Sequence, residues 1–247
     1  SNTCNMDLND LRRKISKDTK AICVVHWGGY PLDLDELSKI QKEAQEKFGH
    51  FIPIVEDCAH SMGSEYKGKK LGNHGNISVY SFQAIKHFTT GDGGVMILPN
   101  EELWERAKVL RWYGIDRNTN KKDFRCEEDV AEWGYKYHMN DINATIGIHN
   151  FPLFLDNGKK YRENSIYYDE QLKDTQGVTV LPKETDRSSA SWIHTIKVKN
   201  RDGFMEFMKE KSIMVSRVHE RNDIHSCVSE YKSFLPNLDK LCEEMIC

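Results

Sequence analysis

"TKAICVVHWGGYPLDLDELSKIQKEAQEKFGHFIPIVED" (residues 19–57) decides the fold. Its first nine residues are a β-branched apolar run that stops at Gly28, Gly29 and Pro31, as a buried strand entering a loop should. An acidic capping region then opens "DLDELSKIQKEAQEKF" (33–48), which carries Leu and Ile at helical spacing and ends at Gly49. "FIPIVED" (51–57) is a second short apolar strand and "ISVYSF" (77–82) a third. Strand, helix, strand predicts a parallel sheet with right-handed crossovers, and hence an α/β fold.

Working outward, "GGVMILPN" (93–100) predicts a further strand closing in a turn, and "EELWERAKVLRWYG" (101–114) a helix. A charged loop occupies 116–132. Residues 140–174 have the periodicity of a long helix that Pro152 should kink or split. Beyond Gly177 the texture becomes "GVTVLP", "SWIHTIKV", a short helix over 202–211 and "SIMVS". That is a small α+β unit, so the domains are expected at 1–175 and 176–247, with the chain ending on "LCEEMIC" without a closing element.

The 247 residues are 38% hydrophobic and 30% charged, with a net charge of -3. This balance fits a globular protein and leaves no basic footprint for nucleic acid. No run approaches the roughly 18 apolar residues of a membrane span, and the polar start "SNTCNMDLND" lacks the regions of a signal peptide, so a cytoplasmic location is expected. The seven cysteines form no CxxC pair, which favours reduced thiols over a disulfide framework or zinc ribbon. No metal site is expected, since Cys58 and His60 alternate faces of an extended segment without visible partners.

In an open parallel sheet, ligands bind outside the carboxyl ends of the strands. Those ends offer His26, Asp57 and Ser81, with Lys86 just beyond in "SFQAIKHFTTGDGG" (81–94). Each has a structural alternative: His26 as a core histidine, Asp57 as a helix cap, the glycines as a hairpin turn. Together they are candidates for one site.

The stretch "VEDCAHSMGSEYKGKKLGNHGNISVYSFQAIKHFTTGDGGVMI" (55–97) resembles the signature of the DegT/DnrJ/EryC1/StrS family of nucleotide-sugar aminotransferases. "GYKYHMNDINATIGIHNF" and "VSRVHERNDIH" resemble later family segments in the right order. The resemblance implies an aspartate aminotransferase-like fold (fold type I) using pyridoxal 5'-phosphate. The chain would hold part of the large domain's mixed sheet and the small α+β domain. Lys86 falls on the lysine that bonds the cofactor aldehyde, Asp57 on the acid pairing with the pyridine nitrogen, and Ser81 on the serine bound to the phosphate. His60 stands where many relatives carry glutamine near the ring oxygen. Lys136 stands where some have an asparagine reaching the neighbouring subunit's phosphate, which implies a homodimer with shared sites. His138 and His219 match positions near the sugar.

The implied reaction moves an amino group from an amino-acid donor, glutamate by expectation, to a keto group of a nucleotide-linked sugar, in polysaccharide or deoxyaminosugar biosynthesis. Two alternatives stay open at this point. Sister sugar dehydratases replace the lysine with histidine, whereas here Lys86 is present and His87 merely adjoins it. Other relatives are non-catalytic regulators. Against the family pattern the chain is short at both ends, without the lead-in that supplies a phosphate cup and a ring-stacking aromatic. Weakened cofactor binding and reduced or absent activity are the corresponding expectations.

Overall fold

The computed structural model describes residues 2–118 and 129–247, so residues 119–128 of the expected charged loop, Cys126 included, lie outside the description. Helix α1 (Leu8–Lys14) precedes strand β1 (Ile22–Val25). A single 3-10 turn, Trp27–Gly29, leads into α2 (Leu34–Phe48) and then β2 (Ile54–Asp57). A small ladder, β3 (Glu65–Tyr66) and β4 (Lys69–Lys70), comes before β5 (Ile77–Ser81), β6 (Gly94–Ile97) and α3 (Glu101–Leu110).

The central sheet runs in the order β1-β2-β5-β6. The first three strands are parallel, with Val25 beside Asp57 and Asp57 beside Val79. β6 closes the sheet antiparallel, pairing Gly94 with Ser81. Three strand ends therefore open in one direction, and a tight turn returns the chain beside the third.

Helix α2 forms for the reasons its sequence advertises. Asp33 caps it, its Oδ1 accepting from the Glu36 N–H at 3.0 Å, while Leu34, Leu37, Ile40 and Ala44 share the buried face. Gly49 ends it in the left-handed region at φ 76°, and a Cβ there would meet nothing within 4 Å. A Gly49→Ala variant should therefore carry only the backbone penalty, about 1 kcal/mol, read as a lower urea midpoint with unchanged slope.

The main core lies on one face of the sheet, where Ile22, Val24, Leu37, Ile54, Tyr66 and Tyr80 pack together. On the other face, Val25, Val79 and Met96 are 43%, 40% and 46% exposed. A second core gathers Ile196, Val198 and Ile246 with Leu172 and Phe204. The chain continues through α4 (Asp141–Leu172), β7 (Val178–Val180), β8 (Arg187–Ser188), β9 (Ile196–Val198), α5 (Arg201–Glu210), α6 (Pro236–Glu244) and β10 (Met245–Ile246). β10, β9 and β7 form the antiparallel sheet of the second core, whereas β8 pairs with β3 beside the first core.

Two expectations are adjusted. Pro152 does not split α4, which runs 32 residues through it. That turn lies at the surface, with Ile148 76% exposed, and an exposed helix accommodates a missing N–H more easily than a buried one. The tail "LCEEMIC" is not without structure: it ends α6 and supplies β10, whose Ile246 pairs with Ile196. Within "SWIHTIKV" the strand is Ile196–Val198, and Trp192 before it donates to the Ile85 carbonyl beyond β5. Among the described residues no helix is long and apolar enough to cross a membrane.

Candidate active site

Beyond β5, residues 82–93 form a compact turn held from both sides. Phe82 N–H donates to the Gly93 carbonyl at 2.8 Å, and Thr90 N–H donates to the Phe82 carbonyl at 3.0 Å. From α4, Asn143 Nδ2 donates to the carbonyls of Thr90 and Asp92 at 2.9 and 2.6 Å, and Asn150 Nδ2 donates to that of Thr89 at 3.0 Å. Two glycines are required sterically. Gly93 sits at φ 135°, and a Cβ on Gly94 would fall 2.4 Å from the Tyr80 carbonyl oxygen.

Lys86 projects from this turn, half-buried, with its Nζ 3.8 Å from the centre of the Trp192 ring. Burial lowers its amine's pKa, and the Asp57 carboxylate acts in the opposite sense. Asp57 ends β2, and its Oδ1 accepts from the Ala59 N–H at 2.9 Å. A poised amine beside a carboxylate fixed by the sheet is a chemically useful pair.

His60 completes the group. Its ring lies 4.0 Å from that of Trp192 and stacks within 7° of His219 at 5.7 Å. Trp27 meets both imidazoles edge-on. Burial, followed by the charge on Lys86, depresses the His60 pKa to about 3. Gly28 N–H donates to its Nδ1 at 3.3 Å, so the neutral ring carries its proton on Nε2. His87, also buried, is depressed to about 4, chiefly by desolvation.

Both rings bind a proton more readily in the unfolded chain than in the folded one. Stability is therefore expected to fall as pH drops below about 6.5, by up to ~1.4 kcal/mol per pH unit for each ring until its folded pKa is reached. A His60→Gln variant, whose amide oxygen still accepts from Gly28, should show a visibly flatter decline in urea midpoints between pH 6 and 4.

The structure thus brings Asp57, His60, Lys86 and His219 together. Ser81 lies two residues beyond the Val79–Asp57 register, with Oγ accepting a long 3.3 Å bond from Gln83 N–H. Lys136 and His138 form a separate group around Trp112. The Lys136 backbone bridges to Trp112, and the His138 ring meets the indole edge-on at 4.0 Å. Among the described residues, no hydrogen bond, ion pair or ring contact ties them to Asp57, His60 or Lys86.

His26, the fourth strand-end candidate, turns the other way. It is wholly buried, with Nε2 2.9 Å from Glu56 Oε2 and Nδ1 accepting from the Leu32 N–H at 3.0 Å. Glu56 Oε1 accepts from Asn76 Nδ2 at 2.7 Å. Cys58 joins them, so it is not without partners: the ligand-type atoms of His26, Glu56 and Cys58 lie within 4.8 Å of one another. With Nδ1 engaged by Leu32, the proton sits on Nε2 facing Glu56, and burial raises the Cys58 thiol. Those protonation states suit a hydrogen-bonded core network rather than a ligand set.

Sequence reasoning missed Trp192, Trp27 and Glu56. Trp192 is 107 residues from its partner Ile85 and sits in a run that reads as strand, so no local spacing signals it.

A family model described as the DegT/DnrJ/EryC1/StrS aminotransferase family matches residues 1–247. Among solved structures, AtS13 from Actinomadura melliaura superposes with a TM-score of 0.95 at 45% identity, the match covering 99% of this chain and 65% of that one. The sugar aminotransferase CalS13 from Micromonospora echinospora gives 0.95 at 41% identity, covering 99% and 66%. The UDP-4-amino-4,6-dideoxy-N-acetyl-beta-L-altrosamine transaminase of Campylobacter jejuni is 30% identical over 213 residues, 85% of this chain and 52% of that protein. The chain thus spans about half the length of this curated relative and just under two thirds of the solved ones.

Proposed function

Because this chain belongs to the DegT/DnrJ/EryC1/StrS aminotransferase family and has its mixed α/β, fold type I architecture, we propose that its site serves pyridoxal phosphate-dependent transfer of an amino group to a nucleotide-linked keto sugar. The observation that carries this reading is the meeting of Lys86, Asp57 and His60 beyond the carboxyl ends of β2 and β5. Supporting it, one relative is described as a sugar aminotransferase and another as a transaminase of a UDP-linked amino sugar.

The residues present fit the cofactor. Lys86 offers an amine whose pKa burial lowers, Asp57 a carboxylate fixed at a strand end, His60 an N–H donor that stays neutral, and Ser81 a hydroxyl with spare hydrogen-bonding capacity. When bound, the cofactor supplies an aldehyde and a ring that accepts the electron pair left when the substrate carbon loses a proton. Lys86 would be the amine that holds the aldehyde end of the cofactor, and its Nζ would be the base that carries the substrate proton. Asp57 would hold a proton on the pyridine nitrogen, His60 would donate to the ring oxygen and Ser81 would bind the phosphate. His138 and His219 face the sugar, and Lys136 reaches the phosphate of a second subunit in a homodimer. Glutamate is the proposed donor, leaving as 2-oxoglutarate.

Mixing the purified protein with pyridoxal phosphate should produce an absorbance band near the visible edge. Borohydride should abolish it, leaving the mass of the reduced adduct on the peptide containing Lys86. Absence of any reducible band at saturating cofactor would overturn the reading.

A further inference from the structure

Trp192 lies outside the strand ends that gather the site, on the segment between β8 and β9. Two separate contacts nevertheless aim it at the lysine turn. Its Nε1–H donates to the Ile85 carbonyl at 2.9 Å, one residue before Lys86, and its ring face receives the Lys86 Nζ at 3.8 Å. On its other side the ring packs against His60 at 4.0 Å. The segment carrying it is itself anchored, since Trp192 N–H donates to the Gly28 carbonyl at 3.0 Å and Ala190 N–H to Ser64 Oγ at 2.9 Å.

We infer that Trp192 is a positioning residue for Lys86: its N–H fixes the backbone that carries the lysine, and its indole face is the seat on which the free ammonium rests. The inference deepens the proposed function and rests on Lys86 being the reactive amine. A lysine released from its bond during turnover has a long, flexible stem and every opportunity to wander. An aromatic face attracts an ammonium electrostatically, and the Asp57 carboxylate acts on the same charge. Between them the amine is held at one place until substrate takes over. The seat comes from the segment leading into β9, so the second core's side of the molecule dictates where the first sheet's lysine stands.

The cofactor-free wild-type protein tests the geometry directly. After reductive methylation with ¹³C-formaldehyde and cyanoborohydride, the methyl resonance assigned by its loss in Lys86→Arg should be shifted upfield by the indole ring current, and the shift should vanish in Trp192→Leu. Trp192→Phe, which keeps a ring face, should retain part of it. At limiting reagent, Lys86 in Trp192→Leu should be methylated roughly two- to fivefold faster than in wild type, as expected for loss of a contact of about 0.5–1 kcal/mol to the cation. A merely structural role would lower the urea midpoint without changing Lys86 reactivity relative to that of Lys14.

An unshifted Lys86 resonance in the folded wild-type protein overturns the inference, whatever the variants do. Should Trp192→Leu fail to fold, that wild-type shift and Trp192→Phe still decide. A normal shift with no pyridoxal phosphate adduct on Lys86 would instead overturn the functional reading and leave the seat standing as geometry alone.

Discussion

On the proposed function, a Lys86→Ala variant is expected to lower whatever amino-group transfer the wild-type chain shows by a factor of at least ~10³, because positioned proton transfer alone contributes roughly 10²–10⁴ in rate. The loss should fall on kcat more than on KM, as for an interaction made in the transition state. The reducible absorbance band should disappear with it. Stability should barely move, since Lys86 is half-buried and its backbone turn is held by Asn143, Asn150 and Trp192 rather than by its own side chain. A Lys86→Ala protein that keeps a borohydride-sensitive band on any peptide would sink the assignment of the amine.

The largest expected effect on stability lies one residue away from the site, at Glu56. Its two oxygens serve His26 Nε2 and Asn76 Nδ2 inside the core, and both Glu56 and His26 have no exposed surface. Glu56→Ala leaves two donors without acceptors and opens a cavity, a combination costing about 3 kcal/mol or more. Glu56→Gln keeps an acceptor for His26 but turns an amide N–H₂ toward Asn76, so it should cost roughly half as much. Urea unfolding of the pair checks this. An alanine variant within 1 kcal/mol of wild type would show that the network adds little to folding.

These two residues illustrate how much of the molecule its sequence discloses. Glu56 and Asp57 are adjacent acids at the end of one strand, and period-2 alternation says that they face opposite sides of the sheet. It does not say which side is filled. Asp57 is singled out by its place at the strand's carboxyl end and by the resemblance of its surroundings to a family signature, while Glu56 passes unremarked until His26 is seen to turn into the core. The β1-α2-β2 unit is legible because capping, periodicity and glycine punctuation agree there. Trp192 is invisible for the opposite reason: its role depends on a backbone contact to Ile85 across 107 residues, and apolar residues beside a strand carry no mark of which partner they will meet. Pro152 shows a local rule overridden by context, because a helix at the surface tolerates a proline that a buried one would reject. Lys136 and His138 keep the roles their resemblance implies only as proposals, since the structure sets them beside Trp112.

The clamp of Asn143 and Asn150 on the turn at 89–92 has a consequence for motion. Three carbonyls of that turn depend on side chains of the first three turns of α4. Fraying of that helix would release them together, so the turn and the start of α4 should open as one cooperative unit. Amide exchange around Phe88–Thr90 would then keep pace with exchange in Asp141–Asn150 rather than with the slower strands β2 and β5, making the helix the clock that sets how long the lysine turn stays shut.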